Sequence, residues 1–369
     1  MAGNHLKILM TTDTVGGVWT YCMELCRALQ PSGAEVHLVT MGAPMKDWQR
    51  REVTASGIAS VHETNFALEW MHNPWNDIEE CGEWLLRLEE ELQPDIIHLN
   101  CFAYGCYSFK APKIIVTHSD VYSWFLNVKK DDPPPEWQKY FWCVKKGLQG
   151  ADLVIAPSHD KLRSIKSVYS ISNNTRVIYN GRSKELFRAA PKQNYVFSMG
   201  RVWDEGKNTQ LLVDAAPMIK APLRIAGDNE FAANHFDSLN SGVEYLGSLS
   251  TSEVAQQLSG APIYALPGKY EPFGLSALEA AFSKCALVLG DIETLREIWG
   301  DNALYVHPDD KNELAETINY LLENPTACEE YGNKAYNHAQ RYSPEIMAAE
   351  YLKAYQELSR NRLRAKELT

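Results

Sequence analysis

Four short stretches carry residue types that can do chemistry together. The sharpest is Glu271-Pro272-Phe273-Gly274-Leu275-Ser276-Ala277-Leu278-Glu279-Ala280. Pro272 and Gly274 predict a helix start near Leu275, whose first N–H groups lack intrahelical acceptors and favour an anion. Glu271 lies just before that helix, where a carboxylate can grip sugar hydroxyls. Glu279 lies a little over one turn inside and can reach a ribose diol. A second stretch, Gly200-Arg201-Val202-Trp203-Asp204-Glu205-Gly206-Lys207, holds two cations. Arg presents a fork matched to phosphate and Lys a point charge. Together they suit a diphosphate; a solvated loop pairing Lys207 with Asp204 or Glu205 is the other reading.

Two further stretches lie earlier. Thr117-His118-Ser119-Asp120 follows an apolar run, and an imidazole there can donate to a hydroxyl or assist proton transfer. Gly16-Gly17, after Thr11-Thr12-Asp13-Thr14-Val15, lets backbone N–H groups approach a phosphate, or is simply a tight turn. Neither a Gly-x-Gly-x-x-Gly nor a Walker-type Gly-x4-Gly-Lys-Ser/Thr pattern is present, which disfavours a dinucleotide oxidoreductase and a P-loop enzyme.

The elements that must position these residues are short buried strands alternating with helices. Lys7–Met10, Val36–Thr40, Ile96–Leu99, Ile114–Thr117 and Leu153–Ala156 read as parallel strands, being apolar without polar alternation. Val177–Tyr179 closes that set. After a polar stretch, residues 181–194, the pattern restarts at Tyr195–Met199. Leu223–Ala226, Val243–Leu246, Ile263–Leu266, Ala286–Leu289 and Leu304–Val306 follow. The expectation is an α/β chain of two Rossmann-like domains, 1–180 and 181–343, with the long amphipathic helix of 344–369 packing back towards the first. Each chemical stretch then falls at the carboxyl end of a strand, where open α/β sheets bind ligands.

Length and composition agree. A chain of 369 residues with 45% hydrophobic content is long for one domain, and a formal charge of −11 argues against a nucleic-acid binder. The 8 Cys form no Cys-x-x-Cys pair, and Cys22 and Cys26 read as core residues of one helix face. Leu6–Met10 is too short for a signal peptide, and no run approaches the ~18 apolar residues of a membrane span, so a cytoplasmic protein is expected. Lys129, Lys130, Lys139, Lys145, Lys146, Lys161, Arg163 and Lys166 gather in the first half. They suit weak peripheral contact with an anionic membrane, or a solvated surface given the acids Asp131, Asp132, Glu136, Asp152 and Asp160 between them.

Taken in order, the motifs resemble the retaining GT-B glycosyltransferases of the fourth family. They are Gly16-Gly17, Thr117-His118, Val177-Ile178-Tyr179-Asn180-Gly181, Gly200-Arg201 with Lys207-Asn208, Ile225-Ala226-Gly227-Asp228, and Glu271 through Glu279. The resemblance implies two facing domains and a nucleotide-diphosphate sugar as co-substrate, with UDP-glucose or a close relative favoured. It also implies a glycan or lipid-linked acceptor, a bacterial polysaccharide pathway and no metal; no Asp-x-Asp occurs in the chain. Arg201 and Lys207 would hold the diphosphate. Glu271 and the N–H groups of Phe273, Gly274 and Leu275 would hold the donor sugar, and Glu279 the ribose. Leu246 or Gly247 would flank the base, Gly16, Gly17 and Asn180 would complete the donor site, and His118 would contact the transferring sugar. The chain departs from the pattern twice: Asn180-Gly181-Arg182-Ser183 stands for the usual Asn-Gly-Val-Asp, and Lys207-Asn208 for the usual Lys-Gly. The aromatic stretch Val121–Pro135, with Tyr122, Trp124 and Phe125, reads as an acceptor loop or a local core. A sugar-nucleotide epimerase of the same architecture and a non-catalytic nucleotide-sugar binder are the rival functions. A hydrolase using Glu271 and Glu279 is disfavoured, because retaining hydrolases need carboxyls ~5 Å apart.

Overall fold

A computed structural model describes residues 6–227 and 242–367, with the side chains of 363–367 left aside. The chain divides into two compact units. The first comprises Met1–Leu126, Asp131–Gly181 and Pro344–Thr369; the second comprises Asn127–Lys130 and Arg182–Ser343. Asp228, part of one motif above, lies outside the described residues.

The first unit is built on a parallel sheet of β1 (Lys7–Asp13), β2 (Glu35–Met41), β3 (Ser60–Glu63), β4 (Ile96–Leu99), β5 (Lys113–Val116), β6 (Leu153–Ala156) and β7 (Thr175–Val177). Among the described residues the order is β3-β2-β1-β4-β5-β6-β7. Ile8, Ile96, Ile97, Ile114, Ile115 and Val154 are all fully buried. Burying such a side chain contributes about 1.5–3 kcal/mol, and helices on both faces demand it along the whole strand. The expected strands occur with shifted ends; β7 runs Thr175–Val177 where Val177–Tyr179 is expected. β1 runs three residues past Met10, because Thr11, Thr12 and Asp13 stay in register with Val39, Thr40 and Met41 of β2. β3 has no counterpart in the sequence reading: Ser60-Val61-His62-Glu63 is short, polar and partly exposed at the sheet edge.

The second unit carries a parallel sheet of β8 (Val196–Met199), β9 (Leu223–Ala226), β10 (Val243–Gly247), β11 (Ile263–Leu266), β12 (Ala286–Gly290) and β13 (Leu304–Val306). Its order among the described residues is β10-β9-β8-β11-β12-β13. In both sheets the direction of winding reverses once, between β1 and β4 and between β8 and β11. At such a switch point the loops leaving adjacent strands run to opposite faces and open a crevice. The loops after β1 and β4, and those after β8 and β11, are therefore the candidate ligand positions of each unit.

The helix Pro344–Glu367 belongs to the first unit and packs on the helix Gly17–Leu29. Tyr351 meets Tyr21 at 6.1 Å between ring centroids, and the Tyr355 hydroxyl lies 2.6 Å from Nδ1 of His98 on β4.

Two expectations are corrected. Val121–Pro135 is not a loop throughout: Val121–Val128 is a helix. The Asp120 carboxylate accepts from the Ser123 N–H at 2.9 Å and starts it, and Tyr122 packs on the core with its ring tilted against Phe141, centroids 4.9 Å apart. Nor is the polar stretch 181–194 exposed throughout, since Arg182 and Phe187 are buried.

Candidate active site

In the second unit the crevice is lined by the loops after β8 and β11. The first turns sharply after Met199. Lys207 N–H donates to the Asp204 carbonyl at 2.9 Å, and the Asp204 carboxylate accepts from the Gly206 N–H at 2.9 Å. The turn ends on Asn208, whose φ of 58° is left-handed. Asn tolerates that conformation better than most residues, which explains how it stands where Gly is usual. The Asn208 amide also donates to the carbonyls of Pro267 (2.8 Å) and Pro308 (2.6 Å), tying this loop to its neighbours. The N–H groups of Lys269 and Tyr270 donate to the Gly206 carbonyl at 2.9 and 3.3 Å, so the loop after β11 is stitched alongside.

That stitching brings Lys207 and Glu271 together: Nζ lies 2.5 Å from the carboxylate. Arg201 pairs with Asp204 at 2.6 Å, and its Nε is a buried donor without a partner among the described residues. The pairing expected for a plain solvated loop, Lys207 with Asp204 or Glu205, is not what forms. Gly274 caps the helix Leu275–Phe282 with φ 93° and ψ 57°, and brings no side chain to satisfy the first-turn N–H groups. Phe273 anchors this turn, buried against Tyr342 with ring centroids 5.5 Å apart. Glu279, one turn on, is buried and takes the Nε of Arg182 at 2.6 Å. Leu246 and Gly247 lie on β10, two strands from β8, where the pairing with β9 slips between Tyr245 and Gly247. A bulge of this kind re-aims the side chain at the strand's end.

In the first unit, Gly16 and Gly17 are exposed at the end of β1. Gly16 adopts φ 73° and ψ −148° as it caps the helix Gly17–Leu29, a conformation open to Gly alone. Asn180 is buried, and its side-chain oxygen has no partner. His118 is half-buried after β5, edge-on to the Tyr21 ring at 4.7 Å. Its Nε2 lies 2.7 Å from Oδ1 of Asn100, which in turn donates to the Thr11 carbonyl at 2.7 Å. An amide oxygen only accepts, so Nε2 carries the proton and Nδ1 is left as an acceptor. Burial, with His98 and Lys161 nearby, lowers His118 to about 3. It is thus a neutral acceptor for a hydroxyl, not the donor that a charged imidazole would be.

Two residues whose pairing the sequence does not signal support this loop. Asp120 and Lys161 form a buried ion pair, and Tyr169 donates to the same carboxylate at 2.8 Å. Burial would raise the Asp120 carboxyl, yet Lys161 outweighs it and holds the group below its usual range. Lys161, counted above among surface cations, is 1% exposed. Nothing in Ser158-His159-Asp160-Lys161 signals the pairing beyond Ser158 as a helix cap. Among the described residues no group of three or more His, Cys, Asp or Glu is placed to hold a metal ion, and no helix is long and apolar enough to cross a membrane.

Two family models match in tandem. Residues 15–185 match Glycosyltransferase Family 4, and residues 182–338 match Glycosyl transferases group 1. The chain belongs to the GT-B glycosyltransferases. It is similar to the O-antigen chain mannosyltransferase RfbU of Salmonella typhimurium, 26% identical over 53% of this chain and 58% of that one. The first three curated relatives are each spanned over 58%, 56% and 56% of their own length, a little over half. Among solved structures, sucrose-phosphate synthase from Thermosynechococcus elongatus shares the fold with a TM-score of 0.79 at 20% identity, covering 96% of this chain and 99% of that one. Anabaena HepE in complex with UDP-glucose shares it at 0.76 and 19% identity, covering 96% and 100%. This glycosyltransferase is related to enzymes of polysaccharide and glycan synthesis.

Proposed function

We propose that this glycosyltransferase moves a hexose from a nucleotide-diphosphate sugar, UDP-glucose or a close relative, to a glycan or lipid-linked acceptor with retention and without a metal. The observation that carries the reading is the cluster at the β8/β11 switch point: Lys207 meets Glu271 beside the helix start at Gly274, Arg201 lies on the same loop as Lys207, and Glu279 follows on that helix. Two cations and a helix N-terminus suit a diphosphate, and carboxylates suit hydroxyls.

The chemistry follows from that assignment. The bond from sugar C1 to the diphosphate oxygen breaks, and a bond from C1 to the acceptor oxygen forms on the same face. The acceptor's proton passes to the departing phosphate. Negative charge grows on the leaving diphosphate, and Arg201, Lys207 and the helix N–H groups stabilise it; losing one such donor commonly costs ~3 kcal/mol, roughly a hundredfold in rate. Glu271 and the N–H groups of Phe273, Gly274 and Leu275 hold the sugar, Glu279 the ribose, and Leu246 and Gly247 the base. In the first unit, Gly16, Gly17, Asn180 and His118 are proposed ligand-binding residues on the strength of the sequence resemblance alone.

A cytoplasmic place in bacterial polysaccharide assembly fits a lipid-linked acceptor. Contact with an anionic membrane would use the helix Gln138–Gly150, where Lys139, Lys146 and the half-exposed Trp142 face solvent. Incubation with radiolabelled UDP-glucose and membrane lipid extract, in chelator, tests the reading. Transfer of label with the α-anomeric configuration retained supports it; transfer of an inverted linkage, or only in the presence of added divalent metal, overturns it.

A further inference from the structure

One buried contact beside the proposed donor site uses a residue that the family pattern does not supply. Arg182 stands where Val is usual, immediately after Asn180-Gly181. Its Nε donates to Glu279 Oε1 at 2.6 Å, and the two side chains are 6% and 10% exposed. Contacts at both its backbone and its head group hold it. Its N–H donates to the Tyr342 carbonyl at 3.1 Å, its guanidinium stacks over the Phe187 ring at 5.0 Å, and Glu279 takes the head group. The residues are 97 positions apart, so the contact is made by the fold and not by a local turn.

We infer that Arg182 is a positioning residue that sets the rotamer of Glu279 for the ribose diol of the donor. The inference rests on the assignment of Glu279 to the ribose. A Glu side chain on the first turns of a helix has several rotamers, and a buried carboxylate without a partner is strongly disfavoured. A guanidinium resolves both. Its Nε–H fixes one carboxylate oxygen, and its permanent charge compensates the buried carboxylate. The Phe187 ring holds the guanidinium in turn, and the Tyr342 carbonyl holds the Arg182 backbone. The alternative is a structural pair that only pins 182–187 to the helix Leu275–Phe282.

The test compares ribo- and 2′-deoxyribonucleotides. UDP, ADP and GDP and their 2′-deoxy forms are titrated into the full chain by calorimetry, for the parent protein, Arg182→Gln, Arg182→Lys and Glu279→Gln. The parent should prefer the ribonucleotide of its base by about tenfold, the value of one hydrogen bond to a charged group. Glu279→Gln should bring that preference within about threefold. Arg182→Gln should do the same while still binding the 2′-deoxynucleotide like the parent, and Arg182→Lys should restore part of the preference. A structural role would weaken both nucleotides equally and leave the ratio unchanged. If Glu279→Gln loses the preference and Arg182→Gln keeps it, the inference fails and the ribose assignment stands. If Glu279→Gln keeps it, or no nucleotide binds, the ribose assignment itself fails. Should Arg182→Gln not fold, Arg182→Lys carries the comparison: a preference as large as the parent's, with the 2.6 Å Arg geometry gone, overturns the inference.

Discussion

Replacing Glu271 by Gln should have opposite effects on two ligands that differ only in a sugar. Without ligand, the Lys207 ammonium is held 2.5 Å from the Glu271 carboxylate, and the two side chains are 19% and 10% exposed. At an effective dielectric of about 20, charges at that separation attract by about 7 kcal/mol gross, most of it cancelled by desolvation. A net ~1–3 kcal/mol is what hydrogen bonds to charged groups commonly leave. A diphosphate that recruits Lys207 must compete with this carboxylate. Glu271→Gln keeps the shape and removes the competing charge, so UDP should bind about 3- to 10-fold more tightly. UDP-glucose should lose affinity relative to UDP, because the amide accepts sugar hydroxyls less strongly than the carboxylate. Lys207→Ala should weaken both ligands about tenfold or more and leave free uridine unaffected. Calorimetric titration of uridine, UDP and UDP-glucose into the three proteins reads each effect separately. Equal weakening of UDP and UDP-glucose by Glu271→Gln would refute the assignment of this carboxylate to the sugar. Parental UDP affinity in Lys207→Ala would refute the diphosphate role.

Other consequences follow from the same geometry. Gly274→Ala places a Cβ 3.4 Å from Leu295 and 3.5 Å from the Glu271 side chain at a φ of 93°; the strain should cost ~1–2 kcal/mol in thermal unfolding and weaken diphosphate binding. Asp120→Asn removes half of a buried ion pair and leaves Lys161 without its carboxylate, a loss of ~3–5 kcal/mol in urea unfolding, whereas an effect under ~1 kcal/mol would mean the pair is open to solvent. His98 and His118 are both lowered to about 3 by burial, while in the unfolded chain they titrate near 6.5. The unfolded state therefore binds more protons between those values, so stability is fully present above pH ~6.5 and falls as pH drops, by up to ~1.4 kcal/mol per pH unit for each group. Melting temperatures that stay flat from pH 7 to 5 would contradict that burial, and His98→Gln should shallow the slope.

How much of this could be read from the chain depends on the range of the interaction. The strands were legible because parallel strands covered on both faces are runs of Val, Ile and Leu, as in Ile263–Leu266 and Leu153–Ala156. β3 was not, since an edge strand needs no such run. The helix start at Leu275 was legible from Pro272 and Gly274, whose backbone demands are local. The helix Val121–Val128 was obscured by its aromatics and the nearby prolines, although Asp120 caps it as a sequence signal would have it. Residue types around the second switch point drew attention to Arg201, Lys207, Glu271 and Glu279, but not to their partners. Lys207 meets Glu271 across 64 positions and Arg182 meets Glu279 across 97, and no periodicity spans such distances. The same holds for Asn100, which sets the tautomer of His118 from the adjacent strand.

The central claim is that the β8/β11 switch point of the second unit binds a nucleotide-diphosphate sugar through Arg201 and Lys207. Thermal unfolding of the full chain in chelator, with uridine, adenosine and guanosine mono- and diphosphates and the matching diphosphate sugars, tests it most directly. The account predicts stabilisation by one base only, larger for its diphosphate sugar than for its monophosphate, reaching ~2.7 kcal/mol at a hundred times the dissociation constant. It also predicts that the Arg201→Ala/Lys207→Ala double variant loses the shift. No shift with any nucleotide, or an undiminished shift in the double variant, would contradict it.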